Sequence, residues 1–94
     1  MTEQAIQKEI VKLLEEDYNA YVVKVQVASK SGVPDLLVCI EGMFLGIEVK
    51  RPTSKHTTTR LQEYNLDKIE KAGGKAMVAW NAEMVKEMVD EYFI

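Results

Sequence analysis

The chain has 94 residues, 47% of them apolar and 29% charged, with a formal charge of −3, which bounds it to one domain (residues 1–94) with a small core and a single site. No apolar run approaches the roughly 18 residues that cross a bilayer, and Met1-Thr2-Glu3-Gln4 lacks the basic and apolar segments of a secretory leader, so a cytoplasmic location without a membrane partner is expected. The acidic balance counts against a nucleic-acid partner unless cations are gathered locally.

The first element reads as a helix over residues 2–19, with Ile6, Ile10, Leu13 and Leu14 at helical spacing and Thr2 as its cap. Placing Ile6 at zero and turning 100° per residue, the apolar residues centre at about 55°, with Glu3 at about 60° and Glu9 at about 300°. Glu3 therefore falls on the packed side and Glu9 in water. A helix N-terminus also favours an ionised carboxylate, and Gln7, one turn on, stands where it can support Glu3. Residues 20–28 follow as a strand that sets Tyr21, Val23, Val25 and Val27 on one face and Lys24 and Gln26 on the other. Ser29-Lys30-Ser31-Gly32 is a loop. Its Lys30 is either a solvated side chain or a phosphate contact.

Two β-prone runs come next, Leu36 to Ile40 and Phe44 to Val49, with Glu41-Gly42 as the turn between them and Pro34 at the entry, where a missing ladder donor is tolerated. A two-residue loop pairs Ile40 with Met43 and sets Asp35 opposite Glu48; a three-residue loop would set Asp35 opposite Val49. In the first register the two carboxylates share a face, with Cβ atoms roughly 4.5–5.5 Å apart, and Lys50 points to the same face. Carboxylates that close raise each other's pKa unless a cation is present, and Mg²⁺ takes one or two carboxylates while keeping several waters. Alone, Pro-Asp is also a common strand entry and Glu-x-Lys a common solvated face. Cys39, the single cysteine, lies in an apolar run and reads as a buried structural thiol.

From Val49 to Leu61 the chain has no acidic residue but carries Lys50, Arg51, Lys55 and Arg60 among hydroxyl side chains, either a solvated loop or a surface suited to phosphate contacts. His56 reads as a solvated loop histidine. A second helix is expected over residues 60–72, with Leu61, Tyr64, Ile69 and Ala72 on its packed side and Gly73-Gly74 closing it. Thr59-x-x-Gln62 is a capping box. Residues 76–80 read as a fourth strand and Asn81 as the cap of a last helix to residue 93, whose stripe is Met84, Val85, Met88, Val89 and Tyr92. Trp80 either anchors that helix or stacks on a base.

Pro34-Asp35, twelve residues, then Glu48-Val49-Lys50 resembles the signature of the PD-(D/E)XK nucleases. With Gly32-Val33 before it and Gln62 after, in so short a chain, it is similar to the stand-alone, phage-like form of the VRR-NUC (virus-type replication-repair nuclease) branch. The element order of helix, three strands, helix, strand, helix gives an α/β sandwich with a four-stranded mixed sheet flanked by helices. The resemblance implies the same αβββαβα, restriction-endonuclease-like fold. It also implies a Mg²⁺-dependent endodeoxyribonuclease, with Mn²⁺ as a substitute, intracellular and acting in the host cytoplasm if virus-encoded. On this reading Asp35, Glu48 and the Val49 carbonyl bind metal, and Lys50 positions the attacking water. The family's first-helix carboxylate falls on Glu3 in preference to Glu9, and its active-site glutamine on Gln62. Lys30, Arg51, Lys55 and Arg60 are the candidate DNA contacts. The expected partners are branched DNA, a four-way (Holliday) junction above all, and a second copy of the chain. The alternative is a non-catalytic DNA-binding or assembly module that keeps the fold.

Overall fold

The computed structural model describes residues 1–52 and 58–93; Lys55 and His56 lie outside the described residues. Helix α1 (Glu3–Tyr18) is followed by strands β1 (Tyr21–Lys24), β2 (Leu36–Ile40) and β3 (Met43–Val49), helix α2 (Arg60–Lys71), strand β4 (Lys75–Ala79) and helix α3 (Ala82–Phe93). Thr2 caps α1 by accepting a hydrogen bond from the Ala5 amide at 3.1 Å. Asn19 ends it in the left-handed region at φ 53°, a conformation that asparagine tolerates better than most residues.

The four strands form one sheet in the order β1-β2-β3-β4, antiparallel except for the parallel pair β3–β4. Antiparallel neighbours need only a tight turn, whereas β4 can lie parallel to β3 only after a crossover, which α2 provides. Glu41 (φ 51°) and Gly42 (φ 78°) both have positive φ, the form of two-residue turn whose twist suits a hairpin. The turn pairs Ile40 with Met43 and Leu36 with Ile47, so the next position along carries Asp35 opposite Glu48.

One face of the sheet carries the core. Leu36, Val38, Ile40, Leu45, Ile47, Val49 and Ala79 pack there with Ile6, Ile10 and Leu14 of α1 and Val85 and Val89 of α3. At α3 the Asn81 side chain accepts from the Met84 amide at 2.8 Å, as a cap should. Tyr18 donates to Asp90, which also holds Lys86 at 2.7 Å, so the two helices are joined by polar contacts as well. Burial pushes the Tyr18 hydroxyl pKa up, and the bond to Asp90 adds to this. Helix α2 covers the other face over β3 and β4. Its close approach depends on Gly46, where a Cβ would lie 2.7 Å from Ile69 Cδ1 and 3.1 Å from Pro34 Cγ.

That half-covered face corrects several sequence expectations. β1 is four residues long, because after Lys24 only the Val25 amide still bonds to this neighbour, donating to the Asp35 carbonyl at 2.8 Å. The half-buried core-facing residue is Val22, while Tyr21, Val23 and Val27 are exposed. Cys39 is exposed, not buried, because it shares the open face with its neighbours Tyr21 and Phe44. On α2, Leu61 and Tyr64 face water and Asn65 is the buried residue. The packed side of that helix runs through a polar residue, which an apolar-stripe reading passes over.

Candidate nuclease site

Asp35, Glu48, Lys50 and Gln62 meet at one end of the sheet. Asp35 stands at the entry to β2, its Oδ2 accepting a hydrogen bond from the Val49 amide at 2.8 Å. Together with the bond from Val25 to its carbonyl, this ties Asp35 to a strand on either side. Glu48 is only 4% exposed, an expensive position for a charge unless it is paired. Its Oε2 accepts from Gln62 Nε2 at 3.1 Å and lies 3.6 Å from Lys50 Nζ. Burial above all, and then the charge of Asp35, raise the Glu48 pKa from 4.5 to about 7, with the Lys50 amine working in the opposite direction.

Gln62 does both things that its position in the sequence allowed. Its Oε1 accepts from the Thr59 amide at 2.9 Å and its own amide donates to Thr59 Oγ1 at 3.1 Å, completing the capping box. The Nε2 left over reaches Glu48. The Lys50 amide donates to the Ala79 carbonyl at 3.0 Å, so the strand end that presents Lys50 is held by β4.

The remaining candidates are spread around this centre. Glu3, half-buried, comes to the end of β3 but meets the backbone, accepting from the Arg51 amide at 3.4 Å; Glu9 is exposed. Among the described residues no group of three or more acidic, histidine or cysteine side chains is placed to hold a metal, so the clustered donors are the pair Asp35 and Glu48. Gln7 is buried and its Oε1 has no partner among the described residues. Val49 uses its amide on Asp35. Arg51 and Arg60 are exposed, the first beside Glu3 and the second opening α2. Lys30 is exposed and borders a groove between the β2–β3 hairpin and α2.

Sequence reading missed Asn65, and it named Gly32 only as part of the motif that carries the resemblance, without its structural role. The Asn65 side chain donates to the Ser31 carbonyl at 3.1 Å and the Leu61 carbonyl at 2.8 Å, pinning the loop before Asp35 onto α2. Gly32, at φ 82°, sits where a Cβ would lie 2.6 Å from the Leu61 backbone, so only glycine permits that approach. Gly-x-Pro-Asp was itself a visible signal for Gly32, whereas an asparagine within a polar helix carries none.

The pair suits Mg²⁺. Asp35 Oδ2 and Glu48 Oε2 are each engaged by protein donors, which orients both carboxylates and leaves Oδ1 and Oε1 for a hard cation that needs few protein oxygens. The raised Glu48 pKa, from burial first and the charge of Asp35 second, marks a cost of ionisation that such an ion would offset.

No protein-family model and no curated protein matches the chain. Among solved structures it is similar to one described as a VRR_NUC domain, with a TM-score of 0.72 and 28% identity over 97% of each chain. A second, described as a VRR_NUC domain protein, gives a TM-score of 0.75 at 21% identity, over 99% of this chain and 88% of that one. Fold and likeness together define a nuclease-like α/β domain. Within that class the chain is a match, over nearly its whole length, for VRR-NUC domains, the branch that its Pro-Asp and Glu-Val-Lys motifs resemble. No helix of the described residues is long and apolar enough to cross a membrane.

Proposed function

We propose that the chain is a Mg²⁺-dependent endodeoxyribonuclease, with Mn²⁺ as a substitute, that acts on branched DNA such as four-way junctions and works as a homodimer. The observation that carries this reading is the buried Glu48 beside Asp35, joined by Lys50 and Gln62 at one end of the sheet. A structural protein has no use for a carboxylate so costly to ionise.

Asp35, Glu48 and the Val49 carbonyl would hold the ion. Bound there, it would lower the pKa of a coordinated water and neutralise charge on the scissile phosphate. The Val49 amide fixes the aim of Asp35, and Gln62 fixes that of Glu48. Lys50, tethered through its own amide to β4, orients the attacking water and offsets negative charge as it develops on the phosphate. Glu3 fixes the chain just past Lys50, and through it the direction of Arg51 toward the DNA backbone.

The test is cleavage of duplex, flap, single-stranded and four-way DNA with and without Mg²⁺, alongside thermal melts over a Mg²⁺ titration. Asp35→Ala, Glu48→Ala and Lys50→Ala should each abolish cleavage in a folded protein, and the melting temperature should rise with Mg²⁺ in the wild type. Full activity in any of the three variants overturns the assignment. DNA binding without cleavage under any cation would instead make the chain a non-catalytic binding module.

A further inference from the structure

We infer that Trp80 is a stacking platform for a DNA base beside the cut phosphate, and that it selects a branch point because there a base lies free of its neighbour; this rests on the nuclease reading above. Trp80, the chain's single tryptophan, follows directly on β4. Val49 pairs with Ala79, and the Lys50 amide donates to the Ala79 carbonyl at 3.0 Å. The next position across this pair therefore sets Trp80 beside Lys50, one strand spacing or about 4.8 Å away. Val49 and Ala79 are both buried in the core. Because successive side chains alternate between faces, Trp80 and Lys50 leave their strands on the opposite face, the one that carries Asp35 and Glu48. There Trp80 is 42% exposed, which leaves roughly 100 Å² of its surface to water.

The other use of such a residue, anchoring α3, is met without the indole. Asn81 caps the helix, the Trp80 backbone amide donates to Met84 Sδ at 3.4 Å, and Val85 and Val89 hold the helix to the core. The remaining exposed aromatics stand elsewhere. Tyr21 and Phe44 share a row with Cys39, four residues along from Asp35. Tyr64 is about 200° around α2 from Gln62, and the rings of Tyr92 and Phe93 meet edge to face 5.1 Å apart on α3.

An aromatic face beside a cation is how proteins hold single nucleotides: the ring takes a base of any identity and the cation a phosphate. With Lys50 on the scissile phosphate, the base that reaches Trp80 belongs to a nucleotide flanking the cut. In a continuous duplex both faces of that base are covered, and it must first be drawn out of the stack. At a branch the stack is already interrupted. Trp80 thus reads a break in stacking, not a sequence.

Because Trp80 is the only tryptophan, its fluorescence reports on this one ring. With Ca²⁺ in place of Mg²⁺, and binding followed separately by anisotropy of labelled DNA, a four-way junction should quench Trp80 and shield it from acrylamide. A continuous duplex bound to the same extent should do so far less. Removing the bases that flank the branch, with the backbone intact, should restore the fluorescence of the bound protein. Trp80→Ala should raise the dissociation constant for the junction about 5- to 150-fold and narrow the preference over duplex, while Trp80→Phe should keep most of it. Melting curves show whether the variants fold, and the wild-type fluorescence decides the matter if they do not. A junction that binds with Trp80 fluorescence and acrylamide access unchanged overturns the stacking role and leaves the nuclease reading standing. So does a folded Trp80→Ala variant with its junction preference intact. Failure to bind any DNA removes both.

Discussion

At the scale of single residues, Glu48 makes the strongest demand on its surroundings. Its pKa of about 7 means that the folded chain keeps a proton which the unfolded chain loses near pH 4.5. Without divalent cations the stability so gained is complete below pH 4.5 and drains away as pH rises through 7. Glu48→Gln should remove this component. In EDTA at pH 8 the variant should melt above the wild type, by about 4–8 °C for each kcal/mol of relief, and the gap should close toward pH 4.5. Melting curves across that range decide it, and a gap that does not vary with pH would refute the burial argument. The approach of Asp35 and Glu48 could be read from the chain because Glu41-Gly42 admits a two-residue turn and both strands are apolar. The reach of Gln62 to Glu48 could be read only as one of two options, since a capping box alone explains a glutamine there. Asn65 could not be read at all, because its partners are carbonyls that become neighbours only when α2 docks.

Among the elements, the hairpin and α2 set the site, and two glycines show how differently each is constrained. Gly42, at φ 78°, has nothing among the described residues within 4 Å of where a Cβ would be, whereas Gly46 has ordinary backbone but faces Ile69 and Pro34. Gly42→Ala should cost about 1–2 kcal/mol from backbone strain alone. Gly46→Ala should push α2 and Pro34 outward, and with them Gln62 and Asp35. The additional change Ile69→Ala should recover part of the loss at Gly46 and none of that at Gly42. Urea midpoints of the three single and two double variants measure this, and equal effects of Ile69→Ala in both backgrounds would show that α2 does not rest on Gly46. Helix phase was legible for α1, where Glu3 and Glu9 separate as the 100° count requires. It was not legible for α2 or β1, because their apolar residues leave an open sheet face that periodicity assigns to a core.

For the whole molecule, the proposed function sets a difficulty, because an acidic chain, with 15 carboxylates against 12 cations, would have to bind a polyanion. Only local cations can do so, and Lys30, Arg51, Lys55 and Arg60 number four. Affinity for a four-way junction should therefore fall with salt on a log–log slope of about −3 to −4 per chain, and Arg60→Ala should lower that slope by about one. Fluorescence anisotropy in Ca²⁺, between 50 and 200 mM salt on the order used for such slopes, tests it; an unchanged slope would take Arg60 off the DNA. The amide of Gln62 has a consequence at this scale too. One side of it closes the first turn of α2 and the other holds Glu48, so fraying at that helix end and the charge on the carboxylate are a single linked equilibrium. Whatever neutralises Glu48 slackens the amide's grip there, and Arg60, at the same turn, is the residue whose freedom changes. Under the proposed function, readiness for chemistry and hold on DNA would both be written into one side chain.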